Sequence, residues 1–274
     1  RVGQSHHYET KAFSTYLSNN ISLNSLLISS GIRIEVFEQE RIDLLDGATY
    51  LDNFSYVLLP SLGFIKNYDN FSVFGGIHRG YTPPSSGALK VTNFVLDTDL
   101  DLKAEKSWNK EIGIRAFNLY NMIDFEFSLF HVGIENLVAA GRGAVFKNLG
   151  EITTMGSETN ISLSLTKNLP TIQLVHTFLK TNVVDAELSV YPFMAASESI
   201  INGNELPYAP AQTFTISAYQ SLLNHLKLRC DFKYVDQVYT DFHNISSNDL
   251  LAEGVTGDKY KLVGIAGPVP SYHV

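Results

Sequence analysis

The 274 residues carry 20 Lys and Arg against 28 Asp and Glu, and the resulting net charge of −8 argues against nucleic-acid binding, which would need a basic stripe. The single cysteine, Cys230, excludes an intrachain disulfide framework and a cysteine zinc site. Hydrophobic residues make up 45% of the chain, which is typical of a folded protein and not of a disordered one.

No stretch of the sequence has the length of an apolar transmembrane helix. The most apolar window runs from Tyr56 to Ile65, but it is too short and it contains Pro60. Tyr and Phe are abundant, with 14 and 17 copies, and both residue types favour strands. These observations leave a soluble β protein or a membrane β-barrel, whose sequence signal is alternation and not hydropathy.

Apolar and polar residues alternate in several segments of the chain. The alternating segments include Gly31–Val36, Ile123–Leu129, Asn160–Thr166 and Leu226–Tyr234. Because successive side chains of a strand point to opposite faces of a sheet, each segment predicts a strand with one apolar and one polar face.

Short and long connections alternate between the predicted strands. We expect short turns near Ser18–Asn20, Lys66–Asn70, Asn118–Asn121, Lys167–Thr171 and Ser221–His225. We expect long loops near Glu38–Asn53, Tyr81–Ser107, Glu135–Ile152, Asn182–Pro207 and Asp236–Pro268. In an up-and-down barrel every second connection lies at the same rim, so one rim would carry the turns and the other the loops. The pattern predicts about ten strands and the start of an eleventh at Ser271–Val274.

One hairpin allows the pairing register to be predicted. If Asn118–Asn121 is a four-residue turn, Ile114 lies opposite Phe125 and Arg115 lies opposite Asp124. Apolar residues then meet on one face and opposite charges meet on the other. The two strands therefore agree on which face is apolar.

The two faces of this hairpin have distinct expected environments. The lipid-facing row would hold Ile112, Ile114, Ile123, Phe125, Phe127 and Leu129, and the lumen would hold Glu111, Arg115, Asp124 and Glu126. Alternation by itself also fits a soluble sandwich with a dry core on the apolar side. A sandwich, however, gives no reason for turns and loops to segregate to opposite ends. The sequence therefore favours an all-β, antiparallel, up-and-down transmembrane β-barrel.

Several motifs resemble the TonB-dependent outer-membrane receptors. They occur in the order of that family and span most of the chain, as Leu59–Phe64 (LPSLGF), Phe74–Pro84 (FGGIHRGYTPP), Glu105–Arg115 (EKSWNKEIGIR), Asn148–Glu151, Gly156–Glu158 and Leu206–Thr213 (LPYAPAQT). Within the family the chain looks most similar to ferric-siderophore receptors, including those of the ferric-citrate type.

The resemblance implies a partial barrel. Transporters of this kind close with about 22 strands around a plugged lumen, and this chain supplies about 10–11 of them. Residues 1–274 are therefore expected to be part of the C-terminal β-barrel domain of a longer protein, without its plug domain and its final strands. An open half-barrel in lipid would leave two unpaired strand edges, which is costly.

The resemblance also implies a function. We expect an outer-membrane receptor of a Gram-negative bacterium that takes up a ferric chelate or a similar scarce nutrient. Its partners would be the TonB complex, reached through the missing plug region, and lipid or lipopolysaccharide. Two alternatives stay open, namely a passive channel or adhesin barrel and a soluble β-sandwich that binds carbohydrate.

No catalytic constellation, metal site or cofactor site is visible in the sequence, so an enzyme is not expected. Ferric chelates are mostly anionic or polar, and Arg matches carboxylates bidentately. The candidate ligand-binding residues at the long-loop rim are Gln39, Arg41, His78, Arg79, Tyr81, Arg142 and Lys147. The adjacent His6 and His7 point to opposite faces if they lie on a strand, and we expect them to belong to a solvated tail.

Overall fold

Eleven antiparallel strands join in a single sheet, in the order β1-β2-β3-β4-β5-β6-β9-β10-β13-β14-β15. The computed structural model describes residues 5–45, 47, 49–84, 102–140, 146–166, 169–189, 198–223, 226–245 and 267–274. The strands of this sheet are β1 (His6–Leu23), β2 (Leu26–Asp43), β3 (Thr49–Asn67), β4 (Ser72–Thr82), β5 (Glu105–Leu119), β6 (Ile123–Glu135), β9 (Glu151–Leu163), β10 (Thr171–Asp185), β13 (Gln212–Leu223), β14 (Leu226–Val235) and β15 (Tyr272–His273). Two further hairpins, β7 (Val138–Ala140) with β8 (Phe146–Asn148) and β11 (Glu187–Ser189) with β12 (Glu198–Ile200), form small separate sheets.

This topology confirms the predicted partial up-and-down barrel. Each long strand pairs with the next one along the chain, and the final pair, β14 with β15, places the eleventh strand where the sequence predicted it. Among the described strands the sheet does not close on itself, because β1 and β15 occupy its two edges. In the described part of the chain, no helix is long and apolar enough to cross a membrane.

The first hairpin is longer than the sequence predicted. Its register runs unbroken from Leu23 opposite Leu26 to His6 opposite Asp43. The prediction of a turn near Ser18–Asn20 was therefore wrong. The turn lies at residues 24–25, where Asn24 has a φ of 52°. Asn adopts this left-handed conformation more easily than most residues, which suits it to the turn.

The loop predicted over Glu38–Asn53 was also wrong. β2 extends to Asp43 and β3 begins at Thr49, so the connection is limited to residues 44–48. The segment looks like a loop because polar residues occupy both faces of β2 there. Its backbone groups are nevertheless paired with β1 and β3, so the strand continues without an apolar face.

The remaining connections follow the predicted separation between two rims. Residues 68–71 and 120–122 form short turns at one end of the sheet, called the short-turn end below. Residues 83–104, 136–150, 186–211 and 236–271 connect strands at the other end, called the long-connection end. The connection between β2 and β3 belongs to this same end, because the strands alternate in direction. It is therefore shorter than the others at this end, but it is not misplaced.

The register of the β5–β6 hairpin differs from the prediction by two residues. Ile114 lies opposite Phe127, and Arg115 lies opposite Glu126 instead of Asp124. The shift arises because the ladder is irregular between Ala116 and Leu119, close to a turn with three left-handed residues. These residues are Asn118, Tyr120 and Asn121, with φ values of 54°, 53° and 59°. A shift of two keeps each side chain on its face, so the predicted faces are confirmed.

The sheet has an apolar face and a polar face. On β5 and β6 the apolar face carries Ile112, Ile114, Phe125, Phe127 and Leu129, while the polar face carries Glu111, Arg115, Asp124 and Glu126. Two open depressions lie along the polar face, and both include Gly76 and His78. On the apolar face, Ile112 is 54% exposed and Leu129 is 49% exposed, so these side chains lack the cover that a sandwich core would give them.

A cluster of six buried apolar residues lies at the long-connection end. It contains Ala139, Leu149, Ile152, Val183, Ala186 and Ile201, each at most 6% exposed. These residues come from the long-connection ends of β9 and β10 and from the two connections that contain the small hairpins. The connections after β6 and β10 therefore pack together on the sheet.

Candidate functional site

The candidate site lies on the polar face of β2 at the long-connection end. Phe37, Gln39 and Arg41 alternate along the strand and are 6%, 6% and 1% exposed. Burial of a guanidinium and an amide is costly unless both find hydrogen-bond partners. The surroundings of Gln39 and Arg41 therefore decide what this site can do.

The end of β4 and the residues just after it contact two of these side chains, Phe37 and Gln39. Gln39 Nε2 donates a hydrogen bond of 3.0 Å to the backbone carbonyl of Pro84. The Tyr81 hydroxyl lies 3.2 Å from Ser55 Oγ on β3. The ring of Tyr81 also meets Phe37 edge to face, with centroids 6.5 Å apart. The root of the connection formed by residues 83–104 is thus fastened onto β2 and β3.

The local sequence explains how β4 reaches this position. The pairing of β3 with β4 ends at Ser61 opposite His78, next to Pro60, which cannot donate to a ladder. Beyond that point β4 stays paired with β5 only, up to Thr82 opposite Glu105. The released end of β4 can therefore lie over the polar face of β2 and β3.

A histidine and a carboxylate lie beside Arg41. Arg41 Nη2 is 3.5 Å from His6 Nε2, and His6 Nδ1 is 3.8 Å from Asp43 Oδ2. The side chains of His6 and Asp43 are 12% and 16% exposed. The expectation that His6 belongs to a solvated tail was therefore wrong, whereas His7 is exposed on the opposite face as predicted.

One buried acceptor stays open in this cluster. Gln39 Oε1 is buried and has no hydrogen-bond partner among the residues that the structure describes. A buried carbonyl oxygen of this kind favours a donor from a ligand or from water. The arrangement combines a cation, an amide and a hydroxyl within one covered part of the polar face.

The other predicted site residues lie elsewhere. His78 is on the polar face of β4, between Ser61 and Asn109, and lines a depression of about 290 Å³ that also includes Glu111 and Glu158. Arg79 is on the opposite face, with its guanidinium carbon 5.7 Å from the centre of the Trp108 ring. The structure therefore brings Gln39, Arg41 and Tyr81 together, and it does not bring His78 or Arg79 to them.

Two predicted residues belong to the connection after β6. Lys147 lies on β8, opposite Ala139 of β7, in one of the small separate sheets. Arg142 lies outside the described residues. Among the residues that are described, no group of three or more His, Cys, Asp and Glu side chains could hold a metal ion.

The sequence reasoning missed His6, Asp43, Ser55 and Pro84 as members of the cluster. A signal for His6 and Asp43 was available, since extending the β1–β2 ladder by alternation places them on the polar face with Arg41. No such signal existed for Ser55 and Pro84, because their places depend on where β4 leaves β3.

The comparisons with known proteins agree with this architecture. Residues 2–274 match the family described as TonB dependent receptor-like, beta-barrel. The probable TonB-dependent siderophore receptor PiuA of Acinetobacter baumannii is 23% identical over 244 residues, which cover 84% of this chain and 32% of PiuA. The chain thus spans about a third of the length of this relative.

Solved structures share the fold. The siderophore receptor PiuA from Acinetobacter baumannii superposes with a TM-score of 0.73 at 20% identity, covering 98% of this chain and 36% of PiuA. The unliganded ferric citrate transporter FecA superposes with a TM-score of 0.76 at 15% identity, covering 98% of this chain and 37% of FecA. The chain belongs to the TonB-dependent receptor family and folds as a part of its β-barrel.

Proposed function

We propose that this chain is part of an outer-membrane transport receptor, and not an enzyme, that takes up a ferric chelate in a Gram-negative bacterium. The observation that carries the proposal is the family match over residues 2–274. It is supported by PiuA and FecA, which are named as a siderophore receptor and a ferric citrate transporter. The substrate class is therefore a siderophore complex, with ferric citrate as one candidate.

The covered cluster on β2 has the chemistry that an anionic chelate needs. Arg41 offers a planar guanidinium, which matches carboxylate oxygens, and Gln39 offers an amide donor. Both side chains are buried, and Gln39 lies against the Pro84 carbonyl, so a chelate reaches Gln39 only when that contact is released. We expect the chelate to replace the Pro84 carbonyl as the acceptor for Gln39, which would couple ligand binding to the connection formed by residues 83–104.

The remaining candidate residues would act as separate contacts. His78 lies closer to the short-turn end on the polar face, beside Asn109 and Glu111. There it would meet a chelate on its way through the lumen. Lys147, on β8, would contribute from the connection after β6, and Arg142, which lies outside the described residues, remains a candidate from the sequence alone. Arg79 would act indirectly, by fixing Trp108 and the end of β4.

The open sheet supports a larger barrel. β1 pairs only with β2 among the described strands, so one edge of β1 presents unpaired backbone groups. In hydrocarbon each such group costs several kcal/mol, so only closed barrels are stable there. We therefore propose that further strands complete the barrel and that energy from TonB enters through a plug region outside these residues.

Of the two alternative functions, the passive channel or adhesin remains open and the soluble sandwich does not. The soluble sandwich disagrees with a single continuous sheet whose apolar face is exposed. A passive channel or adhesin with the same strands would use no energy from the inner membrane. Dependence of uptake on TonB separates that alternative from active transport.

The test is uptake of radioactive iron by cells that carry or lack the gene. We expect uptake of at least one ferric chelate, with ferric citrate and a catecholate complex tried first, to need both this gene and TonB. Uptake that needs the gene but not TonB would favour a passive channel. No difference across a panel of citrate, catecholate, hydroxamate and mixed chelates would contradict the proposal.

A further inference from the structure

Four consecutive connections meet at the long-connection end of the sheet. They follow β4, β6, β10 and β14, and each arrives from a different pair of strands. The parts of them that contact one another are residues 102–104, 136–140, 146–150, 186–189, 198–211 and 236–245, which we call the clipped block.

Asn148, in the connection after β6, holds the backbone of Lys103, in the connection after β4. Its Oδ1 accepts a hydrogen bond of 2.7 Å from Lys103 N, and its Nδ2 donates one of 2.8 Å to the Lys103 carbonyl. Nδ2 also donates to the carbonyl of Asn136, at 2.8 Å, in its own connection. One side chain therefore joins two connections through three hydrogen bonds.

Asn244, in the connection after β14, repeats this arrangement on the connection after β10. Its Oδ1 accepts a hydrogen bond of 2.5 Å from Glu205 N, and its Nδ2 donates one of 2.9 Å to the Glu205 carbonyl. Nδ2 also donates to the carbonyl of Asp241, at 3.2 Å, in its own connection. We call Asn148 and Asn244 the asparagine clips.

The amide group is what allows a clip to work. An asparagine side chain carries both a donor and an acceptor, so it can pair with the N–H and the carbonyl of the same residue. Lys103 and Glu205 lie outside the strands, where no ladder satisfies their backbone groups. Aspartate has the same shape but lacks the donor, so it could make only the half of a clip that uses Oδ1.

An apolar cluster lies between the two clips. Leu149, which follows Asn148, is 1% exposed, and it shares the cluster with Ile201, which is also 1% exposed. Leu206, which follows Glu205, and Phe242 pack against the same cluster. Asn204 Nδ2 donates a 2.9 Å hydrogen bond to the Phe242 carbonyl. The cluster therefore joins the connections after β6, β10 and β14, and the clip at Asn148 adds the connection after β4.

We propose that the clipped block is one cooperative unit, in which the asparagine clips and the apolar cluster make the four connections open together or not at all. Protein segments that share a packed core commonly open as such units. A molecule that displaces one of these connections therefore has to displace all four. The inference depends on contacts within the fold, and it holds whether or not the chain takes up a ferric chelate.

The test removes one clip and reads the far end of the block. Asn244→Asp keeps the shape of the side chain and its Oδ1, but it places an acceptor against the carbonyls of Glu205 and Asp241. Asn244 has a φ of 53°, which Asp also tolerates, so the backbone adds little strain. Hydrogen exchange is measured on the full-length protein in its membrane. We expect exchange to accelerate about tenfold at residues 236–245 and also at residues 102–104, which Asn244 does not contact.

A second variant tests the block from its other end. Asn148→Asp should accelerate exchange at residues 136–150 and also at residues 236–245. Asn202 provides the matched control inside the block, because its hydrogen bond uses only Oδ1, which accepts from Ala186 N at 2.9 Å. Asn202→Asp keeps that contact, so its exchange should equal that of the parent. Heat-modifiable mobility on gels shows whether each variant keeps a folded barrel.

The extent of the faster exchange decides the outcome. Acceleration at both ends of the block in either folded variant supports one cooperative unit. Acceleration confined to the two connections that the altered clip joins, or exchange equal to that of the parent, would overturn the proposal. If one variant loses the folded gel band, the other decides. Iron uptake is measured separately on the parent protein, so a failure of the transport proposal is distinguishable from a failure of this one.

Discussion

Gln39 Nε2 on β2 donates a 3.0 Å hydrogen bond to the backbone carbonyl of Pro84, which lies 45 residues further along the chain. The contact joins the wall of the sheet to the root of a connection at the long-connection end. Because β4 ends at Thr82, the Pro84 carbonyl lies beyond the strand ladder and accepts from a side chain instead. This bond fixes where the connection formed by residues 83–104 leaves the sheet.

Removing this bond should loosen the root of the connection. In Gln39→Ala we expect faster cleavage by added protease near residues 83–104, because a buried hydrogen bond of about 1 kcal/mol is lost. The measurement is limited proteolysis of the full-length protein in its membrane. Gln173→Ala is the matched control, since Gln173 bonds Asn160 on the exposed polar face, far from any long connection. Equal cleavage of the two variants would contradict the anchoring role.

Neutralising the buried cation should weaken chelate binding. In Arg41→Gln we expect the Kd for an anionic ferric chelate to rise about tenfold, because a charge-assisted contact is removed. Arg33→Gln is the matched control, because Arg33 lies on the same face of β2 and pairs with Glu35. An Arg41→Gln variant that is folded and binds the chelate as the parent does would remove Arg41 from the site.

Close packing of the polar face can be tested at a glycine. A Cβ at Gly113 would lie 2.8 Å from the Phe127 carbonyl oxygen and would collide with the Phe74 ring. Gly113→Ala should therefore destabilise the barrel by about 1–3 kcal/mol. A Cβ at Gly63 would lie 3.5 Å from the Gly75 carbonyl oxygen, so Gly63→Ala should be tolerated. The measurement is the temperature at which the folded gel band disappears, and a Gly113→Ala protein with unchanged temperature would contradict this packing.

The core beneath the connections should depend on one isoleucine. Ile201 is 1% exposed, and Ile201→Ala should cost about 2–4 kcal/mol of local stability because it leaves a cavity. Its neighbour Ile200 is 70% exposed, so Ile200→Ala is a matched control with little expected effect. Hydrogen exchange of residues 136–150 and 186–211 is the readout. Similar exchange in both variants would show that these connections do not share a core.

The faces of the strands were predictable and their exact pairing was not. Alternation in Ile123–Leu129 fixes which side chains point outward, because a strand has a period of two. The register of β5 with β6 depends on left-handed residues such as Tyr120, which the sequence does not reveal. The sequence therefore predicted Arg115 on the correct face but opposite the wrong carboxylate.

The sequence named three residues that the structure brings together in the candidate site, but it did not predict their geometry. Gln39 and Arg41 were predicted from their charge and polarity near a rim. The burial of Gln39 follows from the departure of β4 from β3 after His78, which places Pro84 against Gln39. Such a crossing is a property of the tertiary fold, and no local pattern in the sequence records it.

The assignment of the apolar face to the membrane is tested most directly by the environment of consecutive side chains on β6. Single cysteines at positions 123–130 of the full-length protein, with Cys230→Ser to remove the native thiol, carry spin labels in membranes. We expect labels at Ile123, Phe125, Phe127 and Leu129 to be accessible to oxygen dissolved in lipid, and labels at Asp124, Glu126, Ser128 and Phe130 to be shielded from it. Accessibility without this period of two, or oxygen accessibility at the polar positions, would contradict the assignment of the apolar face to the membrane.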